Sequence, residues 1–273
     1  MKILNFLNVS ELIYELKKNN LPLNIIFVSA LILPFSLYLG PAISEILIFL
    51  ISISYLYIII TKKEKISSNI LIVFFLSFYI LLILSSLFSN HILISLKSSL
   101  FIIRFAILTF AIIYILKKSN SFLKFFFISM FLSILLIFIS GLIQFFFSKD
   151  HYVISKIINN TSAKSTIVTG FFDEEKKLGS FIARFSPLII GIYLYISNQN
   201  IKKKVSNILL FFAPIFLIGF FTGERMSMVY LSLTLFFLLI LSIKNNKKTI
   251  FKLLIFLMIP VVLFFSKTNE FDL

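Results

Sequence analysis

Long apolar runs separated by short polar clusters dominate the pattern of this chain. Nine runs stand out, at residues 21–39, 42–60, 70–88, 98–116, 125–147, 178–196, 208–222, 226–243 and 250–265. Most approach the ~20 residues that a helix needs to cross a hydrocarbon layer. The seventh is short and would have to thin the bilayer or extend into Gly223. Barrel strands alternate apolar and polar positions, whereas these runs are continuous, so a β-barrel is excluded. The pattern predicts an all-α fold: a polytopic transmembrane helical bundle of about nine spans, forming a single transmembrane domain over residues 1–273. Ahead of the first span, residues 8–18 read as a short interfacial helix, or else as a floppy tail. Asn8 could cap that helix with Glu11 three residues on, and Leu12, Ile13 and Leu16 form its apolar stripe. A cleavable signal peptide does not fit, because the first run begins only at Leu21, after Glu11 and Glu15, and leads through Gly40 and Pro41 into the second.

Charge sets the expected direction. With the N-terminus inside, the inner loops hold Lys2, Lys17, Lys18, Lys62, Lys63, Lys65, Lys117, Lys118, Lys124, Lys202, Lys203, Lys204, Lys244, Lys247, Lys248 and Lys252, sixteen of the 26 basic residues. Half of the remaining ten fall in one longer outer loop, residues 148–177. Short loops obey the positive-inside bias, so the N-terminus is expected inside and the C-terminus, after an odd number of spans, outside.

Composition narrows the function classes. Hydrophobic residues make up 59% of the chain and mean hydropathy is +1.05, far above a soluble domain. The net charge of +15 belongs mainly to loops facing anionic lipid headgroups, so membrane lipids and not nucleic acid are the expected partners. Cysteine is absent, which excludes disulfides and thiolate chemistry. His91 and His151 have no metal-ligand spacing, so neither a metal nor another cofactor is expected.

Candidate chemistry lies with the arginines. Arg104 falls six residues into the fourth run and Arg184 six into the sixth, each ~9 Å below the outer boundary. Arg225 sits at the outer turn after the seventh, beside Glu224, and these two with Arg104 and Arg184 are the candidate substrate-binding residues. No arginine is spent on an inner loop. A guanidinium carries a planar fork of donors that matches phosphate oxygens, so this group suits the phosphates of a lipid-linked substrate. Snorkelling of Arg104 and Arg184 to the headgroups is the competing reading. Pro187 should free the carbonyl of Ala183 beside Arg184. Gly219 and Gly223 allow close helix approach, and Gly223 can end its helix so as to present Glu224 and Arg225 outward. Glu45 and Gln144 are possible partners for the arginines, or interfacial residues.

Two stretches carry a family resemblance. Residues 169–187, Thr-Gly-Phe-Phe-Asp-Glu-Glu-Lys-Lys-Leu-Gly-Ser-Phe-Ile-Ala-Arg-Phe-Ser-Pro, and residues 222–228, Thr-Gly-Glu-Arg-Met-Ser-Met, resemble the O-antigen ligase and polymerase family. Those are multi-pass glycosyltransferases of the bacterial inner membrane that use undecaprenyl-diphosphate-linked glycans. The resemblance implies metal-independent, inverting transfer on the periplasmic face, to lipid A-core in a ligase or to a second lipid-linked glycan in a polymerase. It implies that Arg184 and Arg225 bind the donor diphosphate, where preorganised donors would stabilise charge on the leaving group. The family's general base is a histidine in a large periplasmic loop farther along the chain. Neither His91 nor His151 lies in the matching region, so no catalytic residue is assigned. The chain also has Ile167 where many members carry arginine. It is therefore expected to represent the N-terminal part of such an enzyme, inactive unless the C-terminal region is supplied.

Two other functions remain open. A transporter or flippase for an anionic lipid or sugar would also place arginines within spans, but near the midplane and within repeated halves. A non-catalytic membrane subunit is the third reading. The charge pattern makes a direct prediction: reporters fused after Lys65, Lys118, Lys204 or Lys248 score cytoplasmic, and those near Ile157 or Leu273 score periplasmic. A cytoplasmic signal from the 148–177 loop would invert the orientation.

Overall fold

The computed structural model describes residues 9–62, 69–119, 121–147, 170–172, 177–197 and 224–243, with scattered positions between 204 and 222. Among these all regular structure is helical. The elements are α1 (Val9–Lys18), α2 (Leu21–Leu39), α3 (Pro41–Lys62), α4 (Asn69–Leu87), α5 (Ile92–Phe101), α6 (Ile103–Lys118), α7 (Phe122–Phe147), a 3-10 turn at Gly170–Phe172, α8 (Leu178–Ile196) and α9 (Arg225–Ile243).

Five of the described segments are long and apolar enough to cross a membrane: Leu21–Leu39, Pro41–Thr61, Ile92–Lys118, Phe122–Gln144 and Leu178–Ile196. Ile72–Leu87 and Met226–Leu238 are shorter apolar helices. The fourth expected span is thus longer than its apolar run and is divided at Ile102 into α5 and α6. Within the seventh run only isolated helical positions are described, and the ninth run lies outside the described residues. So do Asn8, His151, Gly223 and most of the 148–177 loop.

The chain divides into two compact units, Met1–Ser129 and Met130–Leu273. In the first, α2, α3 and α6 pack together, and α4 and α5 pack on each other. Its core is built on Phe27, which meets Phe122 edge-on at 5.4 Å and Phe125 at 6.2 Å, with Ile26, Ile51, Ile58, Ala111 and Ile115 around them. Lipid is as apolar as these side chains, so the helices cohere through close packing and hydrogen bonds rather than through a drive to escape water. The outer faces are correspondingly apolar, with Phe49, Phe74 and Phe78 all exposed.

α1 is more tightly held than a surface helix requires. Leu12 and Leu16 pack on the core of the unit while Ile13 is exposed, so the expected apolar stripe is shared between protein and surroundings. Glu11 accepts from Lys124 Nζ at 2.5 Å, Glu15 accepts from the Ser119 hydroxyl at 3.2 Å, and Asn24 Nδ2 donates to the Leu16 carbonyl at 2.6 Å. The first two bonds tie this helix to the end of α6 and the start of α7, and the third ties it to α2. The start of α1, the end of α6 and the start of α7 therefore share one end of the unit.

Hydroxyls within the helices bond mostly to their own backbone. Ser36 donates to Leu33 O, Ser44 to Pro41 O, Ser52 to Ile48 O and Thr109 to Phe105 O. In a layer without water this satisfies each donor at no cost in helix packing.

Phe27→Ala is expected to cost about 3 kcal/mol of stability, because the cavity it leaves lies among rigid aromatic neighbours. Phe74→Ala, on an exposed face, should be close to neutral. Thermal unfolding of the two variants in one detergent checks the contrast.

Candidate functional site

The second unit brings together the two stretches that stood apart in the sequence. Glu224 immediately precedes α9, and its carboxylate reaches back to the first turn of α8. One oxygen accepts the Gly179 N–H at 2.8 Å, and the other accepts the Ser180 N–H at 2.8 Å together with the Ser180 hydroxyl. The first N–H groups of a helix have no partner within it, and the helix dipole favours an anion there. Glu224 supplies both the acceptors and the charge, from 45 residues away in sequence.

Close packing makes the contact possible. A Cβ on Gly179 would stand 2.2 Å from Thr222 Oγ1, 2.8 Å from Ser227 Oγ and 3.1 Å from Glu224 Cδ. Thr222 and Ser227 are fully buried, and their hydroxyls bond locally, to Gly219 O at 2.7 Å and Glu224 O at 2.7 Å. Gly219 is likewise pressed against the next helix, where an added Cβ would lie 2.7 Å from Leu231 Cδ1. Its small size thus serves helix packing.

Gly170 is held from the other side. Its φ of +59° suits glycine, its N–H donates to Gln144 Oε1 at 2.6 Å, and a Cβ would meet Leu178 Cδ1 at 2.4 Å. Phe172 then packs on Phe181, which stacks on Phe185 at 4.2 Å. Gln144 is buried and serves this turn, whereas Glu45 does pair with an arginine, Arg104, in the first unit.

Arg184 stands on the exposed face of α8 and lines a cavity of about 640 Å³ between α8 and α9. Ala183, Pro187, Gly191, Tyr230 and Phe237 are among the other walls, and among the described residues Arg184 is the only charged one on them. No carboxylate among the described residues pairs with it. Pro187 lies inside α8 and removes the N–H that would have reached the Ala183 carbonyl.

Arg225 is the first residue of α9; its side chain lies outside the described residues. Arg104 belongs to the first unit, so the structure groups Arg184 with Glu224 and gives Arg104 a separate setting. Glu224, a candidate for substrate binding from its place beside Arg225, instead turns its carboxylate to backbone N–H groups. A hint was available: a lone carboxylate preceding a helix is an ordinary cap, although its partner helix could not be guessed. Among the described residues no group of His, Asp or Glu is arranged to hold a metal. No family model, curated protein or solved structure matches this chain.

Gly179→Ala is expected to destabilise the protein by about 2 kcal/mol through overpacking. Adding Thr222→Ala, which removes the nearest clashing atom, should restore part of that loss. Glu224→Gln, which removes the charge and one acceptor, should cost about 2 kcal/mol. Unfolding midpoints of the four proteins, including the parent, decide whether the contact is built as described.

Proposed function

We propose that the second unit binds the diphosphate of an undecaprenyl-diphosphate-linked glycan through Arg184, with Arg225 assisting. In this reading the chain is a multi-pass protein of the bacterial inner membrane. About nine spans carry its N-terminus to the cytoplasmic side, and the protein takes part in transfer or polymerisation of surface glycan at the periplasmic face. The observation that carries the reading is a guanidinium with no acidic partner among the described residues, at a cavity whose other described walls are uncharged. A long isoprenoid needs apolar walls, and a diphosphate needs a fixed fork of donors; α8 and α9 offer the first and Arg184 the second. The Glu224 contact supports it further, because it braces the two stretches on which the family resemblance rests.

The division of labour follows from charge. Glu224 neutralises the end of α8, so the helix terminus does not compete for the ligand. Arg184 lies ~9 Å farther along the same helix. In transfer chemistry its part would be to stabilise the growing negative charge of the leaving diphosphate. Proton removal from the acceptor hydroxyl is assigned to none of the described side chains.

Gly191 gives the test its second arm. A Cβ there meets nothing within 4 Å, so Gly191→Leu should fold and partly fill the cavity. Retention of undecaprenyl diphosphate by purified protein is expected to fall at least about tenfold in Arg184→Ala, the worth of a lost charge-assisted contact. Arg184→Lys should recover only part of this, since lysine returns the charge without the fork. Gly191→Leu should weaken retention of the long-chain lipid more than that of a short-chain diphosphate. Equal retention by all variants would remove the proposal, and full rescue by lysine would leave only a snorkelling role.

A further inference from the structure

The first unit has a groove of its own, of about 790 Å³, walled by α3 on one side and by α5 and α6 on the other. Its walls include Phe49, Ile53, Leu56, Phe101 and Ile107, and among the described residues its only charged ones are Glu45 and Arg104, which form an ion pair. The pair is not sealed: the Arg104 side chain is 35% exposed and that of Glu45 42%. The guanidinium carbon also lies 4.9 Å from the centroid of the Phe105 ring and 5.8 Å from that of Phe101. These faces hold it by cation–π attraction. Even so, Arg104 Nε has no hydrogen-bond partner among the described residues, an N–H that burial makes costly.

The depth of the pair is set by its neighbours. Glu45 stands ~6 Å along α3 from its first residue, Pro41. The Ser99 hydroxyl donates to Ser86 Oγ at 3.4 Å, bringing residue 99 beside the last turn of α4. Arg104 follows ~8 Å farther on. Both charges thus lie a short way in from one end of the unit, the end opposite α1. From Glu45 the groove continues along α3 to Leu56, ~16 Å, which is about half of a ~30 Å hydrocarbon layer. A partner helix would need the full thickness; a lipid tail of one leaflet needs only this much.

We infer that this groove holds one zwitterionic phospholipid of the phosphatidylethanolamine type, its phosphate on Arg104, its ammonium on Glu45 and a tail along α3. A purely anionic headgroup would meet the Glu45 carboxylate as well as the arginine, and a purely cationic one would meet the reverse conflict. A headgroup with both charges complements both partners and leaves neither unpaired. The Phe101 ring offers the ammonium a further attractive face.

Native mass spectrometry of the purified, delipidated chain with equimolar phosphatidylethanolamine and phosphatidylglycerol of matched tails tests the assignment. Wild type is expected to retain one phosphatidylethanolamine preferentially. Glu45→Gln should abolish the preference, and Arg104→Gln should lower retention of both lipids at least about tenfold. Ile53→Trp, which leaves the ion pair untouched and fills the groove, should lower retention of both. Arg184→Ala should leave the preference intact, which separates this groove from the cavity of the second unit. Equal retention of both lipids by wild type, undiminished retention by Ile53→Trp, or loss of the preference in Arg184→Ala would each overturn the inference. A dimer that Ile53→Trp converts to monomer would instead assign the groove to a second copy of the chain.

Discussion

A polar group carried into hydrocarbon has no water to bond, and that constraint organises the described structure of this chain. Hydroxyls turn back onto the carbonyls of their own helices, as Ser36, Ser52 and Thr109 do. Carboxylates are spent on partners that would otherwise go unsatisfied. Glu11 takes Lys124, Glu45 takes Arg104, and Glu224 takes the exposed N–H groups of α8. In a chain with few acidic residues and many basic ones, such placements are selective, and they define which cations are neutralised at home.

Arginine is accordingly used in two ways. Arg104 is paired with a carboxylate and flanked by aromatic rings, so its setting suits a ligand that brings both signs of charge. Arg184 has apolar walls and no acidic partner among the described residues, so its setting suits an anion. The difference lies less in the arginines than in whether an acid stands within reach. The Glu224 carboxylate is committed to Gly179 and Ser180, and a glycine at 179 is what lets it approach.

Much of the architecture was legible in the order of residues. Continuous apolar runs allow only helices in lipid, so the positions of α2, α3, α4, α7 and α8 followed closely from the pattern. The amphipathic α1 was equally readable, because local spacing decides which side chains share a face. Local chemistry also singled out Arg104 and Arg184, since a cation within an apolar run is conspicuous in any register. The break at Ile102 was not foreseen: helix and break there have the same apolar composition, and nothing in spacing marks the change.

What only tertiary structure decided was partnership. Glu11 has the spacing of a capping residue, yet its carboxylate reaches Lys124 because α1 folds against the turn after α6. Gln144 and Glu45 looked equivalent as partners for arginine. One serves the backbone of Gly170 and the other the guanidinium of Arg104, according to which helix passes nearby. Glu224 looked like a substrate ligand and is a helix cap, because close packing at Gly179 brings the start of α8 to it. Periodicity along a chain reports which face of a helix is apolar. The identity of the neighbour on that face depends on contacts between distant segments, and it is these contacts that decide which charges are cancelled.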